Sequence, residues 1–288
     1  MIKLILRKIL SLGVGLTLVA SLIACGKTTD TKIADAKATA TSAPVKDIVV
    51  GVCAGPYGDM FKDAIQPSLE KKGYKVTIKE FSDYVQPNKA LANKEIDVNM
   101  FQHSVYLKKF ATGNKLELTA ITEIPTAGMG VYSNKFKSLD ELKDGALVTI
   151  PDDPTNLTRA LKVLQAAGLV KIDPKVDIAT ATEKDLSENP KKLKFKLIEA
   201  PQLPRTLDSA DLAVVNGNYA IAAGLSPSES IYNEKLSEGY VNVIAVRTED
   251  VDAQLSKDIL EIVKSSEFKS VIDDPKGQYS AFQKPADY

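Results

Sequence analysis

Tryptophan is absent from this 288-residue chain, histidine occurs once and cysteine only twice. A protein metal site calls for several His, Cys or clustered carboxylate ligands at fixed spacings, and one histidine cannot make it. No GxxxxGK[ST] phosphate loop and no GxSxG elbow occurs either, so the signatures of nucleotide binding and of serine hydrolysis are missing. Positive charge is not in excess, with 37 Lys and Arg against 37 Asp and Glu. Residues 1–24 hold three of the basic residues and none of the acidic ones, which leaves 34 against 37 and a net charge near −3. That balance excludes the basic stripe a nucleic-acid partner requires. The uncharged run Ile9–Ala24 has 16 residues, short of the ~20 that a membrane-spanning helix needs.

That run nevertheless has a role. Lys3, Arg7 and Lys8 precede it, and it ends in Leu22-Ile23-Ala24-Cys25-Gly26. Basic start, short apolar middle and small-residue end are the parts of a secretory signal, and the ending resembles a bacterial lipoprotein signal with Cys25 as the residue to be lipidated. Residues 1–24 are therefore expected to be removed, and 25–46 to form a lipidated tether. Its segment Gly26–Lys46, rich in Thr, Ala, Lys and Asp, has too little apolar surface to fold. A flexible chain of 21 residues reaches roughly 25 Å. The expected location is the extracytoplasmic face of the cell membrane, on a lipid anchor. With Cys25 so used, Cys53 has no disulfide partner, and its place in the apolar run Ile48–Cys53 predicts a buried, inert thiol.

The body, from Asp47 to Tyr288, alternates strand and helix signals. Asp47–Cys53 reads as a buried strand, followed by a Gly-Pro-Tyr-Gly loop and a helix that Asp59 is placed to cap and Pro67 to kink or limit. Tyr74–Phe81 alternates with period two, Pro87 opens a short helix, and Ile96–Phe101 is a further buried strand. Leu116–Thr122, Met129–Ser133, Ala146–Ile150, Lys194–Glu199, Asp211–Val215 and Val241–Val246 complete the strands, with helices after Pro154 and over Gln254–Lys264. Alternation of this kind predicts an α/β fold with mainly parallel sheets covered by helices on both sides.

Four strand ends carry the polar and aromatic residues. They are the loop Ala54–Gly58, Gln102-His103, Pro151–Asn156 with Arg159, and Asn216–Asn218. Open α/β sheets bind ligands beyond the carboxyl ends of their strands. Amides, aromatics, one His and one Arg without a nucleophile–base pair point to binding rather than catalysis. Arg159 lies in the first turn of its helix, off the Leu157/Ala160/Leu161/Leu164 face. A forked guanidinium there, beside a helix N-terminus, suits a carboxylate.

The segments FSDYVQPNKAL, EIDVNMFQHSVYL, PDDPTNLTRALKVLQ, ENPKKLKF, APQLPRTLD and VNGNYAIAAGL occur in that order. Together they resemble the signature segments of the methionine-binding lipoprotein family, the NlpA/MetQ solute-binding components of ABC importers. The similarity runs from about Ile48 to Phe282. It implies a two-lobed periplasmic-binding-protein (Venus-flytrap) fold, with crossings near Ala127–Val131 and Gly239–Val243. Lobe 1 would comprise 47–128 plus 242–288, and lobe 2 would comprise 129–241. It also implies L-methionine or a close derivative as ligand, an ABC permease with its ATPase subunits as partner, and no cofactor, metal or catalytic residue. By motif position, Tyr84, Phe101, His103 and Tyr106 on one lobe face Asn156, Arg159 and Asn216 on the other, with Asn218 in the same loop as Asn216.

The chain departs from the family pattern at Cys53, Tyr57, Ser104-Val105 and Asp152, all beside the expected pocket. At this level other roles stay open: a binding protein for another small amino acid or a methionine-containing dipeptide, an enzyme on the same fold, or a surface interaction lipoprotein with no transport role.

Overall fold

A computed structural model describes residues 45–288. The leader, Cys25 and the tether up to residue 44 lie outside the described residues. In chain order the strands are β1 (Lys46–Cys53), β2 (Tyr74–Phe81), β3 (Val98–His103), β4 (Leu118–Glu123), β5 (Gly130–Tyr132), β6 (Leu147–Pro151), β7 (Lys171–Ile172), β8 (Leu186–Glu188), β9 (Lys194–Ile198), β10 (Leu212–Val215), β11 (Tyr232–Asn233) and β12 (Asn242–Arg247). β1 begins one residue earlier than the sequence suggests, at Lys46.

Two five-stranded sheets share one plan. The first has the order β2-β1-β3-β12-β4 and the second β11-β5-β10-β6-β9. β1 lies parallel to β2 and β3, and β6 lies parallel to β9 and β10. The strand that arrives from the other sheet then inserts antiparallel: β12 between β3 and β4, and β5 between β10 and β11. Each sheet is thus mixed, two parallel pairings and two antiparallel. The parallel strands are the ones joined by helical crossovers, as βα alternation demands. The antiparallel ones mark where the chain changes sheet. β7 and β8 form a separate two-stranded hairpin.

Period-two alternation puts apolar side chains on both faces of the buried strands. Ile244 and Val246 of β12 join a core with Met100, Phe61 and Phe268, while Val243 and Ala245 meet Leu91 and Ile96 on the other face. In the second sheet Leu212 and Val214 pack with Val148, Leu161 and Leu164, while Ala213 and Val215 pack with Leu203 and Tyr219. Helices cover both faces of each sheet, so the strand ends are the natural place for an opening.

The first helix differs from its sequence reading. It starts at Pro56 with Gly55 as N-cap, which places Asp59 inside the first turn rather than at the cap. Pro67 does not end it. A π-helical turn, Phe61–Ile65, precedes the α-helical stretch Gln66–Lys71, and Pro67 falls in the first turn of that stretch, where a missing N–H costs least.

Residues 124–129 and 234–241 carry the chain between the sheets. Gln283 ties both crossings together. Its backbone pairs with Thr126 in both directions, at 2.8 and 2.9 Å. Its side chain donates to the Glu234 carbonyl and accepts from the Leu236 N–H, each at 2.8 Å.

Candidate functional site

Opposite β3 the register of β12 slips, so that Val243 faces Gln102 and Ile244 faces Met100. Phe101 is the extra residue, a β-bulge, and such bulges re-aim side chains next to binding sites. The Phe101 carbonyl accepts from Asn242 Nδ2 at 3.2 Å. Strict alternation would put Gln102 on the side of Met100. The bulge instead brings it to Asn99 and Asn88, where three buried amides close on one another at 2.6–3.0 Å. That cluster fixes the helix Gln86–Ala92 against the strand end beneath the cleft.

Above it the aromatics gather. Tyr84 lies 5.8 Å from Phe101 and 5.7 Å from Tyr106, and Phe101 lies 6.4 Å from Tyr106, in the offset and edge-on arrangements that ring quadrupoles favour. Tyr219, from the second sheet's side, comes within 5.0 Å of Tyr84. Cys53 packs against Phe101 and Tyr106, and its thiol donates to the Asp83 carbonyl. Burial pushes that thiol's pKa well up, so it stays protonated, as its apolar strand suggested.

The polar side is a chain of oriented amides. Asp153 caps the helix Pro154–Ala166, accepting from the Asn156 N–H at 3.0 Å and from Asn156 Nδ2 with both carboxylate oxygens. Burial raises the Asp153 pKa, and the bonds from Asn156 and Thr155 oppose that rise. This corrects one expectation: the helix N-terminus is already occupied by the protein's own carboxylate. Held so, Asn156 turns Oδ1 toward Asn216 Nδ2 at 2.9 Å and His103 Nε2 at 3.3 Å. His103 Nδ1 accepts from the Tyr106 N–H, so the ring proton sits on Nε2 and is given to Asn156. Burial, and then the nearby Arg159 charge, lower the His103 pKa well below its ordinary value, and the ring is neutral. Asn216 Oδ1 is buried and has no partner among the described residues.

The helix Pro154–Ala166 begins before Asn156, so Arg159 lies in its second turn and not in the first as expected, and its side chain is buried, 4 % exposed. Its Nε donates to Glu234 Oε1 at 2.8 Å and its Nη2 to Oε2 at 2.6 Å. Tyr240 lies against the guanidinium at 5.3 Å, and Glu234 Oε2 also accepts from the Met129 N–H. Burial works against the Arg159 charge, but Glu234 more than offsets it and the pKa moves up. Nη1 has no hydrogen-bond partner among the described residues.

All seven side chains singled out from the sequence, Tyr84, Phe101, His103, Tyr106, Asn156, Arg159 and Asn216, line one cavity. Asn218, Tyr57 and Gln102 line it too. The elements of the two sheets meet across it. Tyr84 and the Ala54 carbonyl both bond Asn218, and His103 bonds Asn156. Gly55, at φ +121°, lets the chains approach: a Cβ there would lie 2.5 Å from the Asn218 carbonyl oxygen. Glu234, Tyr219 and Tyr240 were not evident as site residues in the sequence. Tyr219 stands in a segment that was singled out, whereas Glu234 and Tyr240 lie in the crossing, where no periodicity marks them. Among the described residues no cluster of His, Cys, Asp or Glu has metal-site geometry, and no helix is long and apolar enough to cross a membrane.

Known proteins are similar to this chain in sequence and fold. The family model for NlpA lipoprotein matches residues 48–286. The D-methionine-binding lipoprotein MetQ of Salmonella typhi is 42 % identical over 223 residues, 76 % of this chain and 82 % of that protein. A nutrient binding protein from Burkholderia cenocepacia, solved bound to methionine, superposes with a TM-score of 0.76 at 40 % identity, covering 81 % of this chain and 97 % of that one. The crystal structure of the methionine binding protein MetQ gives a TM-score of 0.74 at 40 % identity over 79 % of this chain and 94 % of that one. With the family model spanning nearly the whole folded body, this chain belongs to the NlpA lipoprotein family.

Proposed function

We propose that this chain captures methionine, or a close derivative, outside the cytoplasmic membrane and delivers it to an ABC permease and its ATPase subunits. The observation that carries the reading is the composition of one cavity. An aromatic slot lies beside a buried amide oxygen, Asn216 Oδ1, that has no partner among the described residues, and beside the Arg159 guanidinium, whose Nε and Nη2 are held by Glu234. Buried polar atoms are rarely left so without a reason. Tyr84, Phe101 and Tyr106 would receive the thioether against ring edges. Arg159 Nη1 would take the α-carboxylate and Asn216 Oδ1 the α-ammonium. His103 and Asn156 would frame the head group.

The reading is one of binding without catalysis. The cavity's titratable side chains are tyrosines, a neutral histidine and an arginine already paired, and none forms a nucleophile–base couple. The lobes would be 47–128 with 242–288, and 129–241, closing on the ligand about the two crossings that Gln283 ties. Relatives described as methionine-binding or solved with methionine support the ligand class. Lipidation at Cys25 would hold the protein at the extracytoplasmic face.

Native mass spectrometry of gently purified protein tests the ligand. A released mass equal to that of methionine is expected, and a cleft that stays empty after incubation with methionine would count against the reading. Cys25→Ala should move the protein out of the membrane fraction; retention there after signal cleavage would contradict the anchor.

A further inference from the structure

Arg159 is the one charged side chain among the described residues lining the cavity, and Glu234 matches it charge for charge. Both side chains are almost wholly buried, 5 % and 6 % exposed. His103 adds no charge. Asp153 is not in the lining, and its carboxylate is taken up by donors of its own helix, the Asn156 N–H and Nδ2 and the Thr155 hydroxyl. Lys162 and Lys235 are not in this lining; they border a second space, which Arg159 and Glu234 also line. The Lys162 ammonium rests there on the Tyr240 ring at 5.0 Å. Their charges meet solvent and are screened. The wall that meets a ligand therefore has a guanidinium edge to offer but no net charge.

We propose that Glu234 is a positioning residue that sets the charge selectivity of the cleft. By holding Nε and Nη2 it turns Nη1 to the ligand, and by cancelling the guanidinium charge it makes the site accept only ligands that carry their own balance. A zwitterionic α-amino acid meets that requirement. Its α-hydroxy acid isostere, with hydroxyl for ammonium, brings one uncompensated negative charge into a closed cavity. Its amide isostere brings one uncompensated positive charge. A buried charge without a partner is far costlier than a paired one. The inference rests on reading the cavity as a methionine site.

The test uses three ligands of nearly equal shape: methionine, its 2-hydroxy analogue and methioninamide. In the parent protein both isosteres should bind ~30-fold or more weaker than methionine, the loss that removing one partner of a buried charge pair brings. Glu234→Gln leaves the guanidinium uncompensated, so the hydroxy acid should gain on methionine by ~10-fold or more while methioninamide falls further behind. A merely structural Glu234 would weaken all three alike. Glu234→Asp, which keeps the charge, should leave the ratios as in the parent, and if Glu234→Gln does not fold the parent's own preference for methionine over both isosteres decides the matter. A shift of the ratios with the charge retained would overturn the proposal. So would a parent that holds the hydroxy acid within about threefold of methionine, or a folded Glu234→Gln whose ratios stay within about twofold of the parent's. A parent that binds no methionine at all would instead remove the functional reading beneath it.

Discussion

The Tyr84 hydroxyl donates to Asn218 Oδ1 at 2.6 Å, and Asn218 Nδ2 donates onward to the Ala54 carbonyl at 2.9 Å. Tyr84 and Ala54 follow β2 and β1 of the first sheet and Asn218 follows β10 of the second, so these two bonds join the two sheets across the cleft. They are made possible by Gly55, where a side chain would strike the Asn218 backbone at 2.5 Å.

Gly55→Ala should therefore hinder closure. In the parent, X-ray scattering is expected to give a smaller radius of gyration with methionine than without. In Gly55→Ala that compaction should be lost and the affinity lowered. Equal compaction in both proteins would show that the close approach at residue 55 does not limit closure.

The aromatic slot formed by Tyr84, Phe101 and Tyr106 should distinguish sulfur from methylene. Each sulfur–ring contact contributes ~0.3–1.5 kcal/mol, so norleucine should bind up to roughly tenfold weaker than methionine in calorimetric titration. Glutamate should hardly bind, because its side-chain carboxylate would be stranded among rings. Tight glutamate binding would contradict the slot.

His103 gives stability a pH dependence. Its pKa in the fold is pushed down by burial and by Arg159, against about 6.5 in an unfolded chain. Between the two values the unfolded chain binds more protons. The stability that comes from a neutral His103 is thus complete above about pH 6.5 and is lost as pH falls toward the folded value, by at most ~1.4 kcal/mol per unit. Thermal unfolding of His103→Gln should show a flatter decline than the parent below about pH 6.5. Identical slopes would assign the acid sensitivity elsewhere.

Arg159→Ala should lose ~30- to several-thousand-fold in affinity for methionine. It should also destabilise the fold by about 3–5 kcal/mol, because Glu234 is left buried and unpaired. Arg159→Met combined with Glu234→Gln should recover most of the stability without the affinity. If Arg159→Ala melts like the parent, the ion pair is not holding the crossing in place.

Much of the site was legible because its residues come in short runs at strand ends. Phe101, His103 and Tyr106 share one segment, Asn156 and Arg159 another, and Asn216 and Asn218 a third. Glu234 was not legible. It is 75 residues from Arg159, in a crossing segment without helix or strand periodicity, and its role exists only once the second sheet has formed. The bulge at Phe101 was hidden for a related reason, since it is a slip against β12, a strand more than a hundred residues away in sequence. Asp153 precedes a helix that Pro154 opens, yet in the sequence it read only as part of the turn after a strand. What the sequence could not tell is that the cap fills the helix end expected to receive a ligand carboxylate.

Isothermal titration of the purified protein, freed of bound ligand by unfolding and refolding, tests the central claim most directly. Methionine should bind at one site per chain, with Arg159→Ala weakened by at least ~30-fold. A parent that shows no heat of binding with methionine, or an Arg159→Ala protein that binds it within about threefold of the parent, would contradict the assignment of this cleft.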